Sequence, residues 1–154
     1  MRALKEKIAD FKGVPDAGLP ETIQADLRPY QKDGFNFLCH LTQMKLGGVL
    51  ADDMGLGKTL QTLSWLAWQH EKAGKRKKPA LVICPASVLH NWRREAEKFT
   101  PHLKTLLLES GSARHNLRKH IPSNDLIITN YSILRRDLDE LNKFEFGAIV
   151  LDEA

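Results

Sequence analysis

Two short runs of this 154-residue sequence carry residues whose types and order suit one chemistry, the holding of a polyanion. The first, VLADDMGLGKTLQTL at 49–63, passes from an apolar run through Gly55 and Gly57 to Lys58 and Thr59, which open an amphipathic helical pattern. Binding a triphosphate requires backbone amides to converge on phosphate oxygens, and a chain wraps that closely only where Cβ atoms are missing. A helix must also start there, so that its free N–H groups and dipole face the anion. A lysine then neutralises the β- and γ-phosphates, and a hydroxyl holds Mg²⁺. The strict spacing G-x-x-x-x-G-K-[ST] fails only at its first position, where Asp52 stands. That residue marks the exit from a strand, and the tight wrap falls on the later glycines. The bland alternative is a strand-to-helix turn followed by a solvated lysine.

The second run, AIVLDE at 148–153, is four apolar residues ending in Asp152 and Glu153. In P-loop NTPases an acidic residue at the tip of a second buried strand helps to hold the metal. Asp152 then binds Mg²⁺ through water, and Glu153 orients or deprotonates the attacking water. An acidic pair after a strand means little alone. With Gly-Lys-Thr roughly ninety residues upstream, the two runs point to one nucleotide site. Its catalytic residues are Lys58, Asp152 and Glu153, and its Mg²⁺ residues Thr59 and Asp152. The nucleotide lies against Asp53, Met54, Gly55, Leu56, Gly57, Lys58, Thr59 and Leu60.

Such residues need a scaffold, and the rest of the chain supplies one. Five apolar runs read as buried strands: GGVLA, ALVIC, TLLLE, DLIIT and AIVLD. Helical patterns lie between them, over 58–72, 87–99 and 131–143, with a shorter one over 113–120. A further helix starts at Pro29, with Tyr30, Gly34, Phe37, Leu38 and Leu41 on one face. Apolar strands without alternation require a sheet covered on both faces. Alternation with helices implies right-handed crossovers and a mainly parallel sheet, so the fold class is α/β with three layers. Residues 1–26 read as a short helix, with Leu4, Ile8 and Phe11 in register, followed by a linker rich in proline and glycine. The main domain begins near Leu27 and runs to Ala154.

Composition narrows the class. The net charge of +4, from 23 Lys and Arg against 19 Asp and Glu, suits a polyanionic partner without identifying one. Cys39 and Cys84 lack CxxC spacing and read as buried thiols of a reducing compartment. His115 and His120 have ligand-like spacing but no cysteine pair before them, which argues against zinc. No apolar run approaches the ~20 residues that span a bilayer, and the N-terminus lacks the apolar core of a signal peptide. The expectation is an intracellular protein without a membrane partner, in cytoplasm or nucleoid, or in a nucleus. The basic run EKAGKRKKP at 71–79 reads as a solvated loop, with a nucleic-acid contact or a nuclear address as the alternative.

With those residues in place, the chain resembles the ATPase motor of the Swi/Snf-like family within helicase superfamily two, whose members track along double-stranded DNA. The likeness covers about Leu27 to Ala154. LRPYQKDGFNFL resembles the family's adenine-recognition segment and implies that Gln31 reads the base, an exposed helix position being the alternative. ADDMGLGKTLQ is similar to motif I, which carries aspartate at the same place; the family usually has glutamate where this chain has Asp53. VICPASVLHNWRREAEKF looks like motif Ia, IITNYSIL like motif Ib and LDEA like the start of motif II. The resemblance implies a first RecA-like lobe, incomplete at its C-terminal end, and a second RecA-like lobe that supplies an arginine finger. The chain alone is then not a competent motor. It also implies contacts from Ser87, Thr129 and Asn130 to the backbone of double-stranded DNA, although Ser87 could simply cap its helix. Trp92, on an apolar helix face, reads as core. Two other readings stay open: an RNA helicase of superfamily two, and a non-catalytic nucleotide-binding switch.

Overall fold

The computed structural model describes residues 15–47 and 58–152. Four of the five apolar runs form strands: β1 (Ala80–Cys84), β2 (Thr105–Leu108), β3 (Leu126–Asn130) and β4 (Ala148–Leu151). The remaining run, GGVLA, lies outside the described residues from Gly48 onward, as does the expected helix over 2–12. The strands pair in the order β2-β3-β1-β4, and every pairing is parallel. Ala80 stands level with both Leu126 and Ala148, and Leu126 with Thr105, so the strand starts share one line.

Six α-helices are seen among the described residues: α1 (Pro29–Gln43), α2 (Lys58–Ala73), α3 (Leu89–Phe99), α4 (Ala113–Leu117), α5 (Tyr131–Arg136) and α6 (Leu138–Leu141). Side chains alternate across the pleat, and each face finds its own cover. Ala80, Val82, Cys84, Leu126 and Ile128 meet Leu63 and Leu66 of α2 and Leu89, Trp92 and Ala96 of α3. On the other face Leu81, Ile83, Leu108 and Ile127 meet Ile121, Tyr131, Leu134 and Leu141. The three layers expected from unbroken apolar strands are therefore present. β4 differs: its Ile149 and Leu151 are 60% and 58% exposed. Residues 19–27, part of the expected linker and domain start, lie against the lobe through Leu19, Ile23, Ala25 and Leu27, which pack with Ala67 and Leu103.

The helix expected over 131–143 is interrupted. Apolar periodicity runs on through 137, but the Asp137 carboxylate is drawn off the helix by two arginines. Arg114 Nε donates to it at 2.7 Å and Arg118 Nη1 lies 2.8 Å away. The chain breaks there into α5 and α6.

The direction of α2 sets the site. At its C-terminal end, Gln69 Nε2 donates to the carbonyl of Gly147, just before β4, at 3.3 Å. His70 Nε2 lies 3.8 Å from Asp125 Oδ1, just before β3. The end of α2 thus sits at the strand starts, and the helix runs back against the sheet. Its 16 residues span ~24 Å, and a five-residue strand ~17 Å. Lys58, at the other end, therefore lies at the edge where the strands finish.

Candidate nucleotide site at the strand ends

Several functional residues expected from sequence converge on that edge. β1 leaves through Pro85 into a single 3-10 turn, Ala86–Val88, on which Ser87 is exposed. β3 ends at Asn130, and α5 begins at the next residue. β4 runs out at Leu151, and the Asp152 amide donates to the carbonyl of Ile83 at 2.8 Å, extending the ladder by one residue. Lys58 and Thr59, half-buried, form the first turn of α2 above the same edge. The first four N–H groups of any α-helix have no partner within it. A cation, a hydroxyl and a carboxylate thus share one edge of the sheet.

Asp152 is held from two directions. Trp92 Nε1 of α3 donates to its Oδ2 at 2.8 Å, and the hydroxyl of Tyr131, at the head of α5, donates to its carbonyl at 2.8 Å. The same carboxylate raises the thiol pKa of nearby Cys84, which burial already pushes up, to about 11. Burial lifts Cys39 to about 12, with Lys72 acting weakly in the opposite sense. Neither cysteine is a thiolate at neutral pH, so nucleophilic chemistry does not lie with them.

Gln31 is buried in the first turn of α1, and its Oε1 accepts from the Arg28 amide at 2.8 Å. The exposed alternative is thereby excluded. Contacts between α1 and α2 run from Gly34 against Gln61 to Trp65 Nε1 donating to Thr42 Oγ1 at 2.8 Å. Both helices therefore start toward the same edge, and Gln31 with them. A Cβ at position 34 would displace the Gln61 side-chain amide, so the two helices approach closely there. Leu60 is buried in the core, so only its backbone can face a ligand. Asp53, Met54, Gly55, Leu56, Gly57 and Glu153 lie outside the described residues.

The structure corrects the reading of Thr129. Its side chain, inside β3, is 0% exposed, and its hydroxyl donates to the carbonyl of Leu108 at 2.9 Å. That side chain ties two strands together and does not face a phosphate. Asn130, the last residue of β3 and itself 7% exposed, caps α5, its Oδ1 accepting from the Ile133 amide at 2.9 Å, which leaves only its side-chain N–H groups to reach the edge. Ser87 does not cap α3: the cap position is Val88, and no side chain serves it. The basic run at 71–79 continues from the C-terminal end of α2, at the opposite edge. Its Lys78 pairs with Glu145 at 2.9 Å.

Sequence reasoning took Trp92 only as core. It is core, at 3% exposed, and a donor as well. The available signal was the residue type, because a buried indole N–H usually finds an acceptor.

The SNF2-related domain matches residues 30–154. Among curated proteins, the TATA-binding protein-associated factor MOT1 of Saccharomyces cerevisiae is 42% identical over 146 residues, covering 88% of this chain and 8% of that protein. The chromatin-remodeling ATPase INO80 of Sclerotinia sclerotiorum is 38% identical over 153 residues, 92% of this chain and 9% of that protein. The chain thus spans under a tenth of the length of these relatives. Among solved structures, the Sulfolobus solfataricus SWI2/SNF2 ATPase core in complex with dsDNA superposes with a TM-score of 0.76 at 41% identity, over 88% of this chain and 28% of that one. The α/β lobe with its all-parallel sheet matches a RecA-like lobe of that core. On the extent of the domain match, this chain belongs to the SNF2-related domain family.

Proposed function

We propose that the chain is the ATP-binding lobe of a DNA-dependent ATPase that couples hydrolysis to movement along double-stranded DNA. The observation that carries this reading is the common edge of Lys58, Thr59 and Asp152, reached from two elements that run in opposite directions. The donor set fits a magnesium-bound triphosphate. Lys58 meets phosphate charge, the Thr59 hydroxyl and Asp152 face the metal, and the free amides at the start of α2 take phosphate oxygens. Bound there, Mg²⁺ neutralises charge that develops on the phosphates. Asp152 Oδ2 is taken by Trp92, and Oδ1 makes no hydrogen bond among the described residues, so it is available to a metal-bound water. Gln31 orients the base, and Glu153 takes a proton from the attacking water.

Ser87 and the amide of Asn130 contact DNA phosphates at the same edge, positioning the duplex without reading its sequence. The structural neighbour bound to dsDNA supports that partner. A second RecA-like lobe supplies an arginine finger, worth roughly 10³ to 10⁵ in rate, so this lobe alone is slow.

The test is made in the full-length ATPase. Lys58→Ala lowers ATP turnover by at least about a hundredfold while the melting temperature holds; near-normal turnover would remove the nucleotide-site assignment. Double-stranded DNA stimulates the wild type more than single-stranded DNA or RNA does. Equal or stronger stimulation by RNA moves the assignment to an RNA helicase.

A further inference from the structure

Besides its own strand and β1, whose Ile83 carbonyl accepts from its amide, two helices meet at Asp152. The indole of Trp92 lies deep between α3 and the sheet, fixed by packing against the apolar face formed by Val82, Cys84 and Ile128. Its N–H donates to Asp152 Oδ2 at 2.8 Å. The phenol of Tyr131 donates to the carbonyl of the same residue, also at 2.8 Å. One bond fixes the carboxylate rotamer, and the other fixes the main chain that carries it. A carboxylate at a strand tip otherwise has free rotation about χ1 and χ2, at a cost in order when it must hold a metal-bound water.

The origin of the two donors matters as much as their geometry. Trp92 stands five residues after Ser87, on the helix that follows the exposed turn at 86–88. Tyr131 directly follows Asn130. Each donor is thus short-wired, through a rigid helix start, to a segment assigned to DNA phosphate contact. We propose that Trp92 and Tyr131 are positioning residues for Asp152, and that through them a shift of the 85–88 turn or of the Asn130 junction on DNA binding is delivered to the metal-holding carboxylate. This rests on the nucleotide-site reading given above. Neither side chain touches nucleotide; both act through the aspartate.

Substitutions that remove each donor while keeping an aromatic ring test it in the full-length ATPase. Trp92→Phe keeps an aromatic ring in the core and removes the N–H, and Tyr131→Phe removes one hydroxyl. Binding of a fluorescent ATP analogue is followed as Mg²⁺ is titrated, and the ratio of ATPase rates with and without double-stranded DNA is measured alongside. A group that orients a metal ligand is typically worth roughly 10- to 100-fold in metal affinity. Asp152, reaching Mg²⁺ through water, is itself such a group, so misplacing it costs at the low end of that range. Trp92→Phe therefore raises the Mg²⁺ concentration at half-maximal binding by about tenfold, leaves Mg²⁺-free binding unchanged, and lowers the DNA stimulation ratio. Tyr131→Phe moves both readouts in the same direction. A merely structural role would lower the melting temperature and leave the Mg²⁺ midpoint where it was. Folded variants with a midpoint within about twofold of the wild type and an unchanged ratio overturn the proposal. If Trp92→Phe does not fold, Tyr131→Phe decides alone. Lys58→Ala, run in parallel, separates the two readings: its failure to weaken nucleotide binding sinks the site itself, whereas unshifted Phe variants beside a weakened Lys58→Ala sink only the positioning.

Discussion

Thr129, fully buried in β3, donates from its hydroxyl to the carbonyl of Leu108 in β2. In a chain read from left to right it follows an apolar run and precedes an asparagine, which is where contacts at a strand end are sought. In the structure the strand extends one residue further, and the hydroxyl spends its proton on the neighbouring strand. Thr129→Val keeps the shape and deletes that bond. It should cost about 1 kcal/mol in chemical denaturation and leave DNA affinity of the full-length protein unchanged. A marked loss of DNA binding without loss of stability would return Thr129 to the interface. The residues legible in advance were those whose chemistry is set by type and local order: Lys58 and Thr59 opening a helix, Asp152 closing a strand. Trp92 was half legible. Its place on an apolar helix face could be read, but its acceptor lies sixty residues away and could not.

The four described strands and the helices over 58–73 and 89–99 were legible to within a residue or two, because unbroken apolar runs and three-to-four spacing are local properties. The helix expected over 113–120 gives way to 3-10 turns after Leu117. The break between α5 and α6 was not legible, since its cause is remote. Tyr131, Leu134, Leu138 and Leu141 keep one helical face, and nothing nearby forbids a single helix. What divides it is Arg114, 23 residues upstream. That guanidinium, first by its hydrogen bonds and then by its charge with help from Arg118, holds the Asp137 carboxyl below the usual carboxylate range. A depressed folded-state pKa contributes stability that is complete above the unfolded value, about 3.9, and is lost as pH falls through the folded value. Asp137→Asn should therefore lower the melting temperature by several degrees at neutral pH. The gap to the wild type should narrow on acidification below about pH 4. A gap that is constant with pH, or absent, would show that the carboxylate's charge is not what holds this corner.

For the molecule as a whole, the sheet is covered unevenly. β1 and β3 are buried on both faces, whereas β4 pairs with β1 alone among the described strands and shows Ile149 and Leu151 to solvent. An exposed apolar strand at a sheet edge is a template for association. Ile149→Lys should delay aggregation of the 154-residue chain, seen as a later onset of light scattering at equal concentration and temperature, with an unchanged far-ultraviolet circular dichroism spectrum. An onset that does not move would place the sticky surface elsewhere. Among the described residues no helix is long and apolar enough to cross a membrane.

The backward course of α2 gives the lobe two poles a helix-length apart. The solvent-facing lysines at 75 and 77 stand at the one remote from the proposed chemistry. A fluorophore or a surface tether placed there stands a helix-length from Lys58, Thr59 and Asp152, so this bend is a natural handle for single-molecule work on the proposed ATPase.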